Sequence, residues 1–174
     1  YRITGNGEST WVRSGIPSEI DLADVEGAVA EVRDPAFVLG ESGFGRMVFS
    51  DEGNIRAADE IGDGQTWAFE SDPLLAATDD EPVLRDPFLV LGSDGWFLYY
   101  AVEIDGISSI YLATSADGFN FTRRGTVVAI EGESATDPSV LYDSQVGRWR
   151  MWFSQTGGDG LPLLAQASSD DLAI

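Results

Sequence analysis

The 174-residue sequence contains no cysteine, no histidine and no lysine. The lack of cysteine excludes disulfide bonds and thiolate nucleophiles, and it leaves the redox compartment undecided. The lack of histidine excludes imidazole general bases and the usual zinc sites. All ten basic residues are arginine, a bias that we attribute to the source genome rather than to chemistry.

Long hydrophobic runs are missing as well. The longest apolar stretches, such as WFLYYAV from Trp96, have the length of a strand and fall short of the ~18 residues that span a bilayer. The overall composition, with 43% hydrophobic and 11% aromatic residues, is typical of one globular domain with a sizeable core. The chain opens on Tyr1 without a visible signal peptide, which indicates a processed, trimmed or excerpted chain.

Charge of one sign dominates: 30 acidic residues against 10 arginines give a formal net charge of −20. Nucleic acid and anionic membranes are poor partners for such a surface, because both require a basic patch. Solubility is the simplest explanation of the acidic excess, with calcium binding or a saline habitat as alternatives. No metal site and no cofactor is predicted, and calcium stays open.

One phrase, Asp-Pro followed by two apolar runs, occurs three times. It reads RDPAFVLGESGFGRMVFSD from Arg33, RDPFLVLGSDGWFLYYAVE from Arg85 and TDPSVLYDSQVGRWRMWFSQT from Thr136. Its aspartates, Asp34, Asp86 and Asp137, are spaced by 52 and 51 residues. A repeat of this period is typical of a solenoid or a propeller.

The clearest copy predicts four strands separated by turns. The strands begin with FLVL at Phe88, WFLYYAVE at Trp96, ISSIYLATS at Ile107 and FNFTRRGTVV at Phe119. Asp-Gly and other glycine turns between apolar runs are strong hairpin signals, and they explain Asp-Gly here better than calcium loops do. We therefore predict an all-β fold, a β-propeller of four-stranded antiparallel blades with about three blades in this chain.

The Asp-Pro pair has a predicted position in such a blade. Proline is tolerated at the first residue of a strand, and the residue before it is biased towards an extended conformation. Asp34, Asp86 and Asp137 are accordingly expected at the start of the innermost strands, with their side chains at the mouth of the central channel.

The ends of the chain predict a circular shift of the blades within a single domain, 1–174. We expect repeats at about 31–82, 83–133 and 134–174, with 1–30 supplying an outer strand around Trp11 and a linker. Three blades do not form a ring, since propellers use about four to eight. The chain is then part of a longer protein, our first interpretation, or half of a homodimeric ring, or an open arc with strand edges that need cover.

The blade pattern resembles that of the propeller glycosidases: RDP and an apolar strand, then glycine with aromatic residues, then I-x-x-A-T-S-x-D-G. These include the five-bladed arabinanases, xylosidases, invertases and levansucrases. The resemblance implies an extracellular or cell-envelope protein that acts on or binds a carbohydrate in a central acidic pocket. It also implies three inner-strand acids, a base or nucleophile, a stabilising or tuning acid and a general acid, and it makes Asp34, Asp86 and Asp137 the catalytic candidates.

The sequence departs from that family at the general acid. The family places a glutamate in a distinctive third motif, whereas the third inner strand here begins with Thr136-Asp137, and Glu131 and Glu133 only precede it. If the acid lies in another blade, this chain alone is inactive; if the ring is complete as it stands, the protein is not an enzyme.

Further residues are assigned to substrate binding. Arg33 and Arg85 are expected to hold neighbouring aspartates ionised, and Glu133 is a candidate polar contact. Trp96 and Trp149 either pack between blades or form a sugar-stacking platform. The alternative to a glycosidase is a non-catalytic module, carbohydrate-binding or structural, in which the three aspartates tie blade to blade through hydrogen bonds.

Overall fold

The structure, a computed structural model, describes the backbone of two short strands at 2–5 and 11–14, and residues 32–40, 43, 45–61, 67–156 and 160–172. Every regular element in these residues is a β-strand. No helix long and apolar enough to cross a membrane occurs among them. The stretch IDLADVEGAVAEV at 20–32, which is expected to link the outer strand to the next inner strand, lies outside the described residues apart from Val32.

Thirteen strands form four sheets within the described part of the chain. The strands are β1 Arg2–Gly5, β2 Trp11–Ser14, β3 Arg33–Leu39, β4 Gly45–Asp51, β5 Asn54–Glu60, β6 Trp67–Phe69, β7 Leu84–Gly92, β8 Gly95–Ile104, β9 Ile107–Ser115, β10 Thr122–Val128, β11 Ser134–Asp143, β12 Arg148–Thr156 and β13 Pro162–Ser169.

Three of the sheets are antiparallel meanders, which we call blades 1, 2 and 3. Blade 1 has the order β3-β4-β5-β6, blade 2 has the order β7-β8-β9-β10, and blade 3 has the order β11-β12-β13. The innermost strand β7 lies beside both β3 and β11. The predicted all-β architecture of about three propeller blades is confirmed, and blade 3 has three strands among the described residues.

The amino-terminal strand β2 pairs with β1 in a separate two-stranded sheet. Blade 3 ends at β13, which has no further strand beside it among the described residues. The pairing of the Trp11 strand with blade 3 in a closed ring therefore stays a prediction.

Strand β8 shows why blade 2 is the centre of the described structure. Its side chains alternate between two cores: Leu98, Tyr100 and Val102 pack towards blade 1, whereas Phe97 and Tyr99 pack towards blade 3. Because successive side chains of a strand point to opposite faces, a strand covered on both faces needs an unbroken apolar run. The run WFLYYAV meets that need.

The inner strands share a local irregularity at Asp-Pro. In each pairing of an inner strand with the next strand, three residue steps on the inner strand oppose two on its partner, as between Arg85 and Phe88. This geometry is a β-bulge with one extra residue. The three aspartates adopt left-handed backbone conformations, with φ of 52° at Asp34, 50° at Asp86 and 53° at Asp137.

Two expectations for Asp-Pro are wrong in this respect. The proline does not open the strand, because β7 begins at Leu84 and β11 at Ser134. The preceding aspartate is left-handed rather than extended. A bulge accommodates both departures. Its extra residue makes no ladder hydrogen bond, so the missing N–H of the proline disrupts no pairing there.

The bulge predicts which substitutions blade 3 tolerates. Asp137→Asn should change the free energy of unfolding by less than about 0.5 kcal/mol, because asparagine enters the left-handed region readily. Asp137→Val should destabilise by roughly 1–3 kcal/mol, because a β-branched residue does not. Urea denaturation of the two variants measures the difference. Ser139→Val, an exposed position on the same strand, is the control, and equal losses in Asp137→Val and Ser139→Val would contradict the assignment.

Candidate functional site

The three repeated aspartates meet near the start of the inner strands. Asp86, on the middle strand β7, accepts a 3.5 Å hydrogen bond at Oδ2 from the backbone N–H of Asp137 on β11. Asp34, on β3, accepts a 3.2 Å bond at Oδ2 from Ser50 Oγ. The hydroxyl of Thr136 donates to Asp137 Oδ2 at 2.8 Å. The structure thus groups all three aspartates around the middle blade.

Asp86 is the most enclosed of the three. Its side chain is 11% exposed, whereas Asp34 and Asp137 are exposed residues. The pKa of Asp86 is raised to about 6. Burial is the largest cause, followed by the neighbouring charges of Asp137 and then Asp34. Crowding of like charges in a partly dry site disfavours the ionised form.

Arg85 acts on Asp86 in the expected direction, but it offsets this crowding only in part. Its guanidinium binds Glu103 at 2.8 Å and Ser108 Oγ at 2.6 Å. Its approach to Asp86 is longer, 3.8 Å from Nε to Oδ2. The charge of Arg85 lowers the pKa of Asp86, but less than burial, Asp137 and Asp34 raise it.

A cleft of about 320 Å³ opens between blades 1 and 2 at Asp34 and Asp86. Its lining includes four residues that the sequence singled out, Arg33, Asp34, Arg85 and Asp86. Sequence reasoning missed the other polar lining residues, Ser50 and Glu52, where β4 turns into β5. Ser50 had no local sequence signal, since it reaches the cleft through its pairing with Arg33.

The remaining predicted site residues lie away from this cleft. Glu133 precedes β11 and accepts a 2.5 Å hydrogen bond from the side-chain amide of Gln155. Trp149 packs against Tyr142, with ring centroids 5.2 Å apart. Trp96 opens β8, at the far end of the β7–β8 hairpin from Asp86. None of the three lines the cleft.

The arrangement supplies carboxylates in unequal surroundings. Acid–base chemistry on a glycosidic bond needs two carboxyl groups whose environments hold them in different protonation states. Asp86 beside the exposed Asp34 and Asp137 meets that requirement in part, but the lining residues offer no clear general acid. The part of the chain that the structure describes contains no cluster of metal-ligating residues.

Comparison with known proteins places the fold. No family profile matches this sequence, and no curated protein matches it at a significant level. Among solved structures, an endo-arabinase from Bacteroides thetaiotaomicron aligns with a TM-score of 0.70 at 17% identity, over 81% of this chain and 52% of its own. A family 117 glycoside hydrolase from Zobellia galactanivorans aligns with a TM-score of 0.69 at 16% identity, over 87% and 55%. A thermostable family-43 glycoside hydrolase gives 0.68 at 16%, over 81% and 49%.

The chain therefore spans about half the length of the solved structures that it matches. At such low identities the likeness concerns the fold. The resemblance read from the blade pattern is confirmed at that level: the chain has the fold of a partial propeller that matches about half of each of these glycoside hydrolases.

The raised pKa of Asp86 predicts a pH-dependent gain in stability for Asp86→Asn. Unfolded Asp86 ionises near 3.8, whereas folded Asp86 ionises near 6, so the native state binds the extra proton between these values. Wild-type stability therefore falls relative to the variant as pH rises from 4 to 6. Below pH 4 the two should be alike, and above pH 6 Asp86→Asn should be more stable by about 2–3 kcal/mol.

Denaturant titrations across pH 4–8 check this difference. Asp105→Asn, in the exposed β8–β9 turn, is matched to Asp86→Asn in the lost carboxylate and in its left-handed backbone, with φ of 52°. If the two variants show the same pH profile, the environment assigned to Asp86 is incorrect.

Proposed function

We propose that this chain forms the carbohydrate-acting part of a glycoside hydrolase-like propeller, with its substrate bound over Asp34, Asp86 and Asp137. The observation that carries the proposal is the grouping of these carboxyl groups from three blades: Asp34 and Asp86 line one cleft, the backbone N–H of Asp137 donates to Asp86, and the pKa of Asp86 is raised to about 6. Perturbed carboxyl groups in a cleft are the usual feature of catalytic sites.

The three aspartates have different proposed roles. Asp86 lies between the others and within Arg-Asp-Pro, so we assign it as the acid that tunes its neighbours and stabilises positive charge in the transition state. Asp34 and Asp137 are more exposed, and we assign one of them as the base or nucleophile. Arg33, on the same cleft, supplies a positive group for substrate contact.

We propose that the general acid comes from a further blade. This chain covers only about half of the matched glycoside hydrolases, and a three-bladed arc leaves its channel open on one side. A longer chain, which we favour, or a second copy supplies the additional blades. Size-exclusion chromatography with light scattering separates the two, since a strictly monomeric particle rules out the dimeric ring.

A non-catalytic propeller module is the second candidate. One observation favours it: all three aspartates share the same left-handed bulge, with φ between 50° and 53°. A backbone role common to every blade accounts for that repetition without any chemistry. In that case the module binds sugar without turnover, or only holds the blades together.

Hydrolysis assays decide between the candidates. The complete ring, which includes the blade that supplies the general acid, is assayed against arabinosides, xylosides and fructans, and Asp86→Asn and Asp137→Asn should each lower kcat at least about 100-fold, the usual contribution of one acid–base group. Asp105→Asn, outside the cleft, should keep full activity. Turnover unchanged in both of the first two variants removes the assignment. No turnover by the complete ring removes the hydrolase function, and a glycan array then tests for saturable sugar binding.

A further inference from the structure

A larger cavity lies at the opposite end of the inner strands from the aspartate cleft. Its volume is about 670 Å³, twice that of the cleft, and within the usual range of ligand sites. Its lining includes Gly40, directly after β3, and Gly45, which begins β4, together with the Gly92–Gly95 turn of β7–β8 and residues of the Ala116–Phe119 turn before β10. Asp86 and Gly92 are six residue steps apart on β7, a distance of about 20 Å along the strand. We call this cavity the far groove.

Two aromatic side chains line the far groove, Trp96 and Phe119. Phe119 is 55% exposed, and one face of its ring stacks on the Arg46 guanidinium at 4.4 Å. The indole of Trp96 lies against Gly118, where an added Cβ would come within 3.0 Å of the ring. Glycine at 118 thus lets the turn backbone approach the indole closely.

The turn that presents Phe119 is fixed in place. The Asp117 carboxylate accepts hydrogen bonds from Ser115 Oγ, from the backbone N–H groups of Phe119 and Asn120, and from the Asn120 side chain. These bonds hold the pKa of Asp117 well below its usual range. An exposed aromatic ring on a rigid turn loses little conformational entropy when it binds a ligand.

The polar groups of the far groove are mainly hydrogen-bond acceptors. Arg46 is 5% exposed and is neutralised by Asp59 at 2.7 Å and by Glu70 at 2.5 Å. Glu60 accepts the backbone N–H of Gly45 through one oxygen, Oε2, and Asp94 is an exposed lining residue. Four carboxylates and one guanidinium line the groove, so its net charge is negative.

We propose that the far groove is a second carbohydrate-binding site, which takes an uncharged, hydroxyl-rich oligosaccharide across Trp96 and Phe119. Aromatic faces pack against the C–H faces of sugar rings, while the carboxylates of Glu60 and Asp94 accept hydrogen bonds from hydroxyl groups. The negative charge excludes uronic or sulfated sugars. This site shares no lining residue with the aspartate cleft, so its test is independent of the proposed function.

Titration of the ¹⁵N-labelled protein with uncharged arabino- and manno-oligosaccharides tests the proposal. Saturable chemical-shift changes are expected at the Trp96 indole and at the backbone amides of 92–95 and 116–119. Phe119→Ala should weaken this binding roughly tenfold, through loss of one aromatic face. Since Phe119 is exposed, this variant should fold. Trp96→Phe is the second variant, and it should weaken binding less than Phe119→Ala because a smaller ring remains.

Two controls assign the binding to the far groove. Tyr142→Ala removes an aromatic residue of similar exposure, 50%, outside the groove, and Asp105→Asn removes an exposed carboxylate outside both the groove and the aspartate cleft; both should bind the oligosaccharides as the parent does. The proposal is overturned by unsaturable shifts with both probes, by shifts confined to the residues around Asp86, or by wild-type affinity in Phe119→Ala. Binding of oligogalacturonate as tight as that of the uncharged probes also overturns it.

Discussion

A single backbone constraint sets the position of the candidate site: an aspartate in the left-handed region directly before a proline, repeated on three adjacent inner strands. This conformation is unfavourable by roughly 1–3 kcal/mol for a non-glycine residue, so it persists only where the surrounding structure enforces it. The flanking ladder supplies that enforcement, because pairing resumes in register on both sides of each bulge. The bulge frees each aspartate from the ladder and groups Asp34, Asp86 and Asp137.

Packing between blades then determines how unequal the three carboxyl groups become. Blade 2 is covered on both faces, by one apolar cluster shared with blade 1 and another shared with blade 3. Asp86, on its innermost strand, is consequently flanked by an acid from each neighbouring blade. Arg85 is drawn aside by Glu103 and Ser108 of the same blade. Within the described residues, each of the outer acids has another inner-strand aspartate on one side only, so an identical motif yields different surroundings.

The sequence predicted the architecture well because the signals for it are local. Asp-Gly turns and apolar alternation delimit each hairpin, and β9 has the predicted bounds, Ile107–Ser115. The repeat also indicated which residues share an inner strand. The features that the sequence did not predict depend on contacts between residues far apart in the chain, or on tertiary structure that overrides a local backbone preference. The rule for residues before proline favours an extended Asp86, and only the ladder of β7 with β8 selects the bulge. Likewise, Ser50 reaches the cleft through strand pairing. The far groove is lined by residues of two blades.

The central claim is that three bulged aspartates share one electrostatic environment centred on Asp86. The most direct test is an NMR titration that follows the side-chain ¹³C carboxyl signal of Asp86 in the wild-type protein and in the Asp34→Asn/Asp137→Asn double variant. We expect Asp86 to titrate near pH 6 in the wild type, and at a lower pH once both neighbouring charges are removed, with burial retaining part of the shift. Titration near pH 4 in both proteins would contradict the account.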